Sequence, residues 1–301
     1  MSKSGYIAAQ DGTKLYYEET GSGAPLVFCH EFAGDYRSWE SQVRYFSRRF
    51  RVITYNARGY IPSDVPGSPD SYSMDIAVSD LVSVLDHLGI EKAHVCGFSM
   101  GSFTALFFAM HHAHRARSAT LVGCGYGAEK GWDEIHKRNF FEMADALEDP
   151  LRADDASARY SRGATRVQFM LKDPRGWKEF ADQFAALSTK GRAMNLKHVV
   201  AARPSILDFE AEFKDMNVPV LIMTGDEDEQ TLMPGVFMKK HIPTAGLCVL
   251  PRIGHSLNLE EPALFNQMLY DFLSDIEMGS WEPRDPRSMQ TDKYLSPDDG
   301  D

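Results

Sequence analysis

The sequence predicts an α/β fold with a mostly parallel, eight-stranded sheet flanked by helices. Two observations carry this prediction: short continuous apolar runs recur along the chain, and helical patterns lie between them. Apolar runs without alternation are typical of strands covered on both faces. Strands that alternate with helices assemble into a parallel sheet through right-handed crossovers. The 301 residues are enough for one large core with a smaller module over it.

The strands begin with a hairpin, because residues 5–20 alternate apolar and polar side chains around the turn Asp11-Gly12. Six continuous apolar runs predict the other strands, at residues 26–29, 51–55, 93–96, 119–122, 218–223 and 247–250. Amphipathic patterns predict helices between and after these runs, at residues 37–49, 73–88, 100–113 and 262–276.

A helical insertion follows the sixth strand. The chain between Val122 and Val218 contains no convincing strand, and its amphipathic stretches cover residues 129–147, 153–171, 175–188 and 191–202. We therefore expect residues 126–213 to form a helical cap over a core made of residues 1–125 and 214–279. Residues 280–301 are rich in Pro, Asp and Ser, which predicts a flexible acidic tail. Trp281 and Tyr294 are the tail residues that could dock on the surface.

The charge and the termini exclude several classes of protein. The formal net charge is -11, and neither end carries a cluster of Lys or Arg, so a nucleic-acid partner is not expected. The N-terminus lacks the apolar core of a signal peptide, and no uninterrupted apolar stretch is long enough for a membrane helix. We expect a cytoplasmic protein without a membrane partner, acting on a small molecule, and a homodimer is compatible with the sequence.

The strongest chemical signal is the sequence Gly97-Phe98-Ser99-Met100-Gly101 at the junction of a predicted strand and a predicted helix. A nucleophile on a sharp strand-to-helix turn needs neighbours without a Cβ atom, because the flanking chains approach closely there. The pattern therefore predicts that Ser99 is a nucleophile. The alternative is that Ser99 only caps the helix.

A serine nucleophile needs a base and a group that orients the base. His255 follows the last strand and precedes the terminal helix, and Gly254 allows a close turn before it. Asp226 and Asp228 follow the strand at residues 218–223, so the order along the chain is Ser, Asp, His.

With this order and motif, the chain resembles the α/β-hydrolase fold family, in its capped esterase, lactonase and C–C hydrolase branch, from residue 5 to residue 277. In that family the acid commonly lies three residues after the glycine that ends its strand, which implies Asp228 rather than Asp226. The resemblance also implies an oxyanion hole made by the backbone N–H groups of Phe32 and Met100. It implies no cofactor and no metal.

Glu31 departs from the family pattern, which usually has glycine after the histidine that here is His30. A carboxylate about 4 Å from an oxyanion would repel it by about 4 kcal/mol at an effective dielectric constant of about 20. Two interpretations remain open. In one, Glu31 turns away and pairs with a nearby base such as Arg58; in the other, it faces the pocket as an acid, a base or a partner for a cation.

The resemblance implies a serine hydrolase that acts on a small, largely apolar ester or lactone through an acyl-enzyme on Ser99. One alternative is a hydrolase that cleaves a C–C bond of a β-diketone or a ring-cleavage product. Another, from a different class, is a ligand-binding receptor with the same fold. The candidate pocket residues come from the end of the strand at residues 26–29 and from the aromatic and Met residues of the cap: His30, Glu31, Trp132, Phe140, Phe141, Met143 and Trp177.

Overall fold

The computed structural model describes residues 2–128 and 133–289. Its eight strands form one sheet in the order β1-β2-β4-β3-β5-β6-β7-β8, which confirms the predicted α/β architecture. The strands are β1 (Lys3–Ala8), β2 (Lys14–Gly21), β3 (Ala24–Cys29), β4 (Phe50–Tyr55), β5 (Ala93–Phe98), β6 (Ala116–Val122), β7 (Val220–Gly225) and β8 (Ala245–Leu250).

The pairing directions follow from the connections. The N-terminal hairpin makes β1 antiparallel to β2, and β2 pairs antiparallel with β4. All other neighbours pair in parallel, from β4 to β8. The carboxyl ends of β3, β5, β6, β7 and β8 therefore lie at one edge of the sheet, where residues that follow them can meet.

The continuous apolar runs are explained by helices on both faces of the sheet. Val27 and Phe28 are both fully buried, and they belong to two different core clusters because successive strand residues point to opposite faces. One cluster packs against α2 (Met74–His87) and α3 (Met100–His111). The other packs against α1 (Glu40–Phe46) and the long C-terminal helix (Pro262–Met278).

Between β6 and β7 the described chain is helical. The helices there are α4 (Asp133–Glu148), α5 (Ala153–Ser161), α6 (Val167–Lys172), α7 (Pro174–Ala186), α8 (Thr189–Asn195) and α9 (Glu210–Lys214), with a π-helical turn at Leu196–Val200. After β7 come α10 (Glu229–His241), α11 (Leu257–Glu260) and α12 (Pro262–Met278). Among the described helices, none combines the length and the apolar composition that crossing a membrane requires.

Among the described helices, α9, α10 and α11 were not predicted from the sequence, and α10 is the longest of the three. Helix α10 carries Pro234 in its interior, and proline normally ends a helix because it lacks an N–H group and clashes with the preceding turn. The apolar residues of α10 also form no clear stripe, so no helical periodicity indicates this element.

The segment after α12 is held at its start rather than loose throughout. The indole Nε1 of Trp281 donates to the carbonyl of Thr244 at 2.9 Å. Its ring packs edge-on against Phe272, with the centroids 4.7 Å apart. Trp281 therefore docks on the core. Tyr294, the other tail residue that could dock, lies outside the described residues.

Candidate active site

Ser99 lies at the sharp bend between β5 and α3, in a backbone conformation that non-glycine residues rarely adopt (φ 51°, ψ -110°). Its N–H donates to the carbonyl of Val122 at 2.8 Å, which holds the bend against β6. A Cβ atom on Gly97 would lie 2.0 Å from the carbonyl oxygen of Gly101, and one on Gly101 would lie 2.3 Å from that of Cys29. The two glycines thus allow the helix to approach the strands closely enough to expose Ser99.

We expect Gly101→Ala to lower the free energy of unfolding by about 1–3 kcal/mol and to lower activity, since the bend must shift to fit the methyl group. Chemical denaturation followed by circular dichroism measures the loss of stability. Gly67→Ala is the matched control, because a Cβ atom there meets only the end of the Lys190 side chain, at 3.3 Å. Equal stability of the two variants would contradict this account of the bend.

Asp228 and His255 are joined by a short hydrogen bond. The Nδ1 atom of His255 lies 2.6 Å from Oδ2 of Asp228, and the same oxygen accepts a bond from Thr231 Oγ1 at 2.7 Å. Burial by itself would raise the pKa of Asp228, but His255 and Thr231 outweigh it, so the pKa is lowered and the carboxylate stays ionised. With Nδ1 donating to Asp228, Nε2 is the imidazole nitrogen that can accept a proton.

The neighbouring Asp226 has a different contact, since its Oδ1 accepts the N–H of Ile253 at 3.3 Å. Asp226 therefore fixes the loop that precedes His255. Of the two carboxylates that the sequence offered after β7, Asp228 is the one that orients the imidazole.

Ser99 and His255 line the same cavity, which has a volume of about 260 Å³. Phe32 and Met100 line it too. Its other lining residues come mainly from α3 and from the helical segment between β6 and β7: Phe103, Gly123, Tyr126, Phe140, Tyr160, Gly163, Ala164, Thr165, Leu196, Val200, Arg203 and Gln230.

Side-chain hydrogen bonds fix the turn after β3, where Phe32 lines the cavity. The hydroxyl of Tyr60 donates to the carbonyl of Phe32 at 2.9 Å. His30 bridges two backbone segments, because its Nδ1 lies 2.7 Å from the carbonyl of Glu31 and its Nε2 accepts the N–H of Ala57 at 3.0 Å. His30 therefore stabilises the turn, and it does not line the cavity.

Met100 is the first residue of α3. The first four N–H groups of a helix have no partner within that helix, and they carry the positive end of its dipole. An anion beside Ser99 would therefore meet a free backbone donor from Met100.

Glu31 forms a buried ion pair with Arg166, and the expectation that it pairs with Arg58 is wrong. Glu31 Oε2 lies 2.5 Å from Nη2 of Arg166, and both side chains are 1% exposed. Arg166 also donates to Ser256 Oγ. Burial lowers the pKa of Arg166, but Glu31 and Tyr160 outweigh it and raise the pKa above its usual value.

Arg58 is already occupied, because it pairs with Asp80 and Asp11, each at 2.7 Å. Glu31 does not line the cavity, so the interpretation in which it faces the substrate is wrong as well. The charge of Glu31 is neutralised by Arg166, which belongs to the helical segment between β6 and β7. The repulsion expected between this carboxylate and an oxyanion is therefore removed.

Of the remaining candidate pocket residues that the structure describes, Phe140 lines the cavity and the others do not. Phe141 is 44% exposed, Met143 packs against the core, and the Nε1 atom of Trp177 donates to the carbonyl of Ser161 at 2.7 Å. Trp132 lies outside the described residues. Phe141, Met143 and Trp177 do not line the cavity, because an amphipathic helix turns only one of its faces towards it.

Sequence reasoning missed five polar lining residues: Tyr126, Tyr160, Thr165, Arg203 and Gln230. None of them stands in a motif, so the sequence carries no signal for them. Within residues 2–128 and 133–289, no three His, Cys, Asp or Glu side chains form a group that could hold a metal ion.

Comparisons with known proteins agree with this fold. Residues 24–262 match the family model described as alpha/beta hydrolase fold. The chain is 29% identical over 274 residues to 3-oxoadipate enol-lactonase 1 of Acinetobacter baylyi, covering 90% of this chain and 97% of that protein. It is 27% identical over 283 residues to a 2-hydroxy-6-oxononadienedioate/2-hydroxy-6-oxononatrienedioate hydrolase of Burkholderia vietnamiensis, covering 88% of this chain and 93% of that protein.

Among solved structures, the enol-lactonase from Burkholderia xenovorans is similar, with a TM-score of 0.78 and 26% identity. The match covers 90% of this chain and 100% of that chain. An N-acyl homoserine lactone degrading enzyme, Est816, has a TM-score of 0.71 and also 26% identity, covering 89% of this chain and 100% of that chain.

Proposed function

The chain belongs to the α/β-hydrolase family, and from that premise we propose that it hydrolyses a small carboxylic ester or lactone, with Ser99 as the nucleophile. One observation carries the proposal. The strained bend presents Ser99 to the same cavity as His255, and His255 is oriented by a buried carboxylate at 2.6 Å.

In this mechanism His255 removes the proton from Ser99 Oγ, which attacks the carbonyl carbon of the substrate. The imidazolium that forms is stabilised by Asp228, whose pKa is lowered. The amides of Phe32 and Met100 hold the oxyanion, a contribution of about 3 kcal/mol per donor where it has been tested. His255 then gives its proton to the leaving group, and a water molecule repeats the sequence to release the acid.

The substrate class rests on the lining of the cavity and on the relatives. A volume of about 260 Å³ with many aromatic lining residues suits a small molecule with an apolar part. The similarity to 3-oxoadipate enol-lactonase 1 favours a lactone or an ester.

Cleavage of a C–C bond beside a ketone is a second candidate. The similarity to the Burkholderia vietnamiensis hydrolase favours it. The two reactions give different products, since an ester releases an alcohol whereas a β-diketone releases a ketone.

The proposal predicts that a fluorophosphonate forms one covalent adduct, on the peptide that contains Ser99. Mass spectrometry of the digested protein detects it, and a screen of p-nitrophenyl esters, lactones and β-diketones then separates the two candidate reactions. A protein that binds a small molecule tightly but is not labelled at Ser99 would instead be a receptor with this fold.

A further inference from the structure

Arg203 is a cation in the wall of the candidate active site. It lines the cavity that contains Ser99, and it also lines a second, outer cavity of about 410 Å³. The two cavities share a wall formed by Phe103, Tyr126, Phe140, Val200 and Arg203. A ligand that reaches from the nucleophile towards the outside would therefore pass the guanidinium.

The described residues offer this guanidinium no acidic partner. Its Nη1 donates to the carbonyl of Val200 at 2.5 Å and its Nη2 to that of Tyr126 at 2.6 Å. No Asp or Glu of the described ranges forms an ion pair with Arg203. A guanidinium carries five N–H donors in a planar fork, so these backbone bonds leave donors available.

The position of Arg203 is fixed, and its charge is retained. The guanidinium carbon lies 4.0 Å from the centroid of the Phe103 ring, over its face. Burial lowers the pKa of Arg203 to about 10, which still leaves the side chain charged near neutral pH. Buried charges are normally paired, so a partly buried cation without a carboxylate in a cavity wall is an exception that a ligand would explain.

We propose that Arg203 binds a carboxylate carried by the substrate at the end remote from the bond that is broken. The substrate would then be a half-ester of a dicarboxylic acid, or a lactone with a carboxylate side chain. This inference rests on the proposed function for the other end of the molecule. It differs from the expectation of a largely apolar substrate, because the aromatic side chains would contact only the middle of the ligand.

The planar fork favours a carboxylate over other anions. Arginine binds a carboxylate through two parallel N–H···O bonds, an arrangement that a single lysine cannot reproduce. One cation is also matched by one negative charge. A hydrogen bond to a charged group contributes enough that its loss weakens binding by about 10- to 100-fold.

The test measures binding in a Ser99→Ala background, so that it does not depend on turnover. The probes are the monomethyl esters of succinic, glutaric and adipic acid, each paired with its neutral dimethyl ester, and ligand-observed NMR titration gives the Kd. We expect the best monoacid to bind at least about tenfold more tightly than its diester. We also expect Arg203→Gln to remove this preference without weakening the diester by more than about twofold, and Arg203→Lys to restore part of it.

Arg175→Gln is the matched control, because Arg175 is exposed on α7 and lines neither cavity. It removes the same charge from the same helical region and should leave the preference intact. Equal binding of each monoacid and its diester to the Ser99→Ala protein would overturn the inference, even if Arg203→Gln did not fold. An equal loss of both ligands in Arg203→Gln would overturn it too, since a purely structural role predicts that result.

These outcomes are independent of the proposed function. If Ser99 is not the nucleophile, the wild-type protein hydrolyses none of the esters, yet the difference in binding between monoacid and diester is still measured. If the role of Arg203 is wrong, Ser99-dependent hydrolysis continues without any preference for the charged ester.

Discussion

Replacing Ser99 with alanine is expected to lower kcat/KM for ester hydrolysis by on the order of 10⁴- to 10⁶-fold. The variant keeps the cavity and the Asp228–His255 pair, but it lacks the hydroxyl that forms the acyl-enzyme in the proposed mechanism. Initial rates with p-nitrophenyl butyrate measure the loss. Folding should be unaffected, because alanine is smaller than serine and has the same Cβ atom. The backbone strain at φ 51° is therefore the same in both proteins.

Ser41→Ala is the control, since Ser41 is exposed on α1 and lies outside the cavity that contains Ser99. It should retain wild-type rates. Turnover that survives in Ser99→Ala would reject an acyl-enzyme on this residue.

The second large effect concerns stability. We expect Glu31→Gln to lower the free energy of unfolding by about 3–5 kcal/mol, because it leaves the Arg166 cation buried without its counter-charge. Both side chains are 1% exposed, so water cannot replace the lost carboxylate. Guanidinium chloride unfolding measures the change. The double variant Glu31→Gln/Arg166→Met should recover part of the loss, since it removes the unpaired charge.

Asp182→Asn provides the comparison, because Asp182 and Lys178 form an exposed ion pair on α7 at 2.6 Å. Exposed pairs contribute about 0–1 kcal/mol, so this variant should be nearly neutral. If Glu31→Gln were equally mild, the pair with Arg166 would not hold the helical segment to the core.

The pH profile of activity in Glu31→Gln should keep its shape, since Glu31 does not line the cavity.

The sheet and the bend at Ser99 could be predicted because their signals are local, whereas the choice of Asp228 over Asp226 came from the family resemblance. A continuous apolar run indicates a strand covered on both faces, and a serine between two glycines at a strand-helix junction indicates the bend. Helix α10 escaped prediction for a local reason as well, because Pro234 breaks the pattern that a helix usually shows.

The partner of Glu31 could not be predicted, because it depends on how the helical insertion lies on the core. Arg58 is nearer in sequence, but it is held by Asp80 and Asp11. Arg166 is 135 residues away from Glu31 along the chain, and no motif marks it. Arg203 was missed for the same reason: that no acidic side chain of the described residues pairs with an arginine is recognisable only when its surroundings are known.

The short stretch Thr165-Arg166 contacts loops from both ends of the chain. The carbonyl of Thr165 accepts the N–H of His255 at 2.9 Å, while Arg166 holds Glu31 next to the Phe32 amide. A segment grafted between β6 and β7 from another member of the family would need to bring an equivalent of these two residues. Without it, the exchange would remove the contact that Thr165 makes with the amide of His255 and the ion pair that holds Glu31.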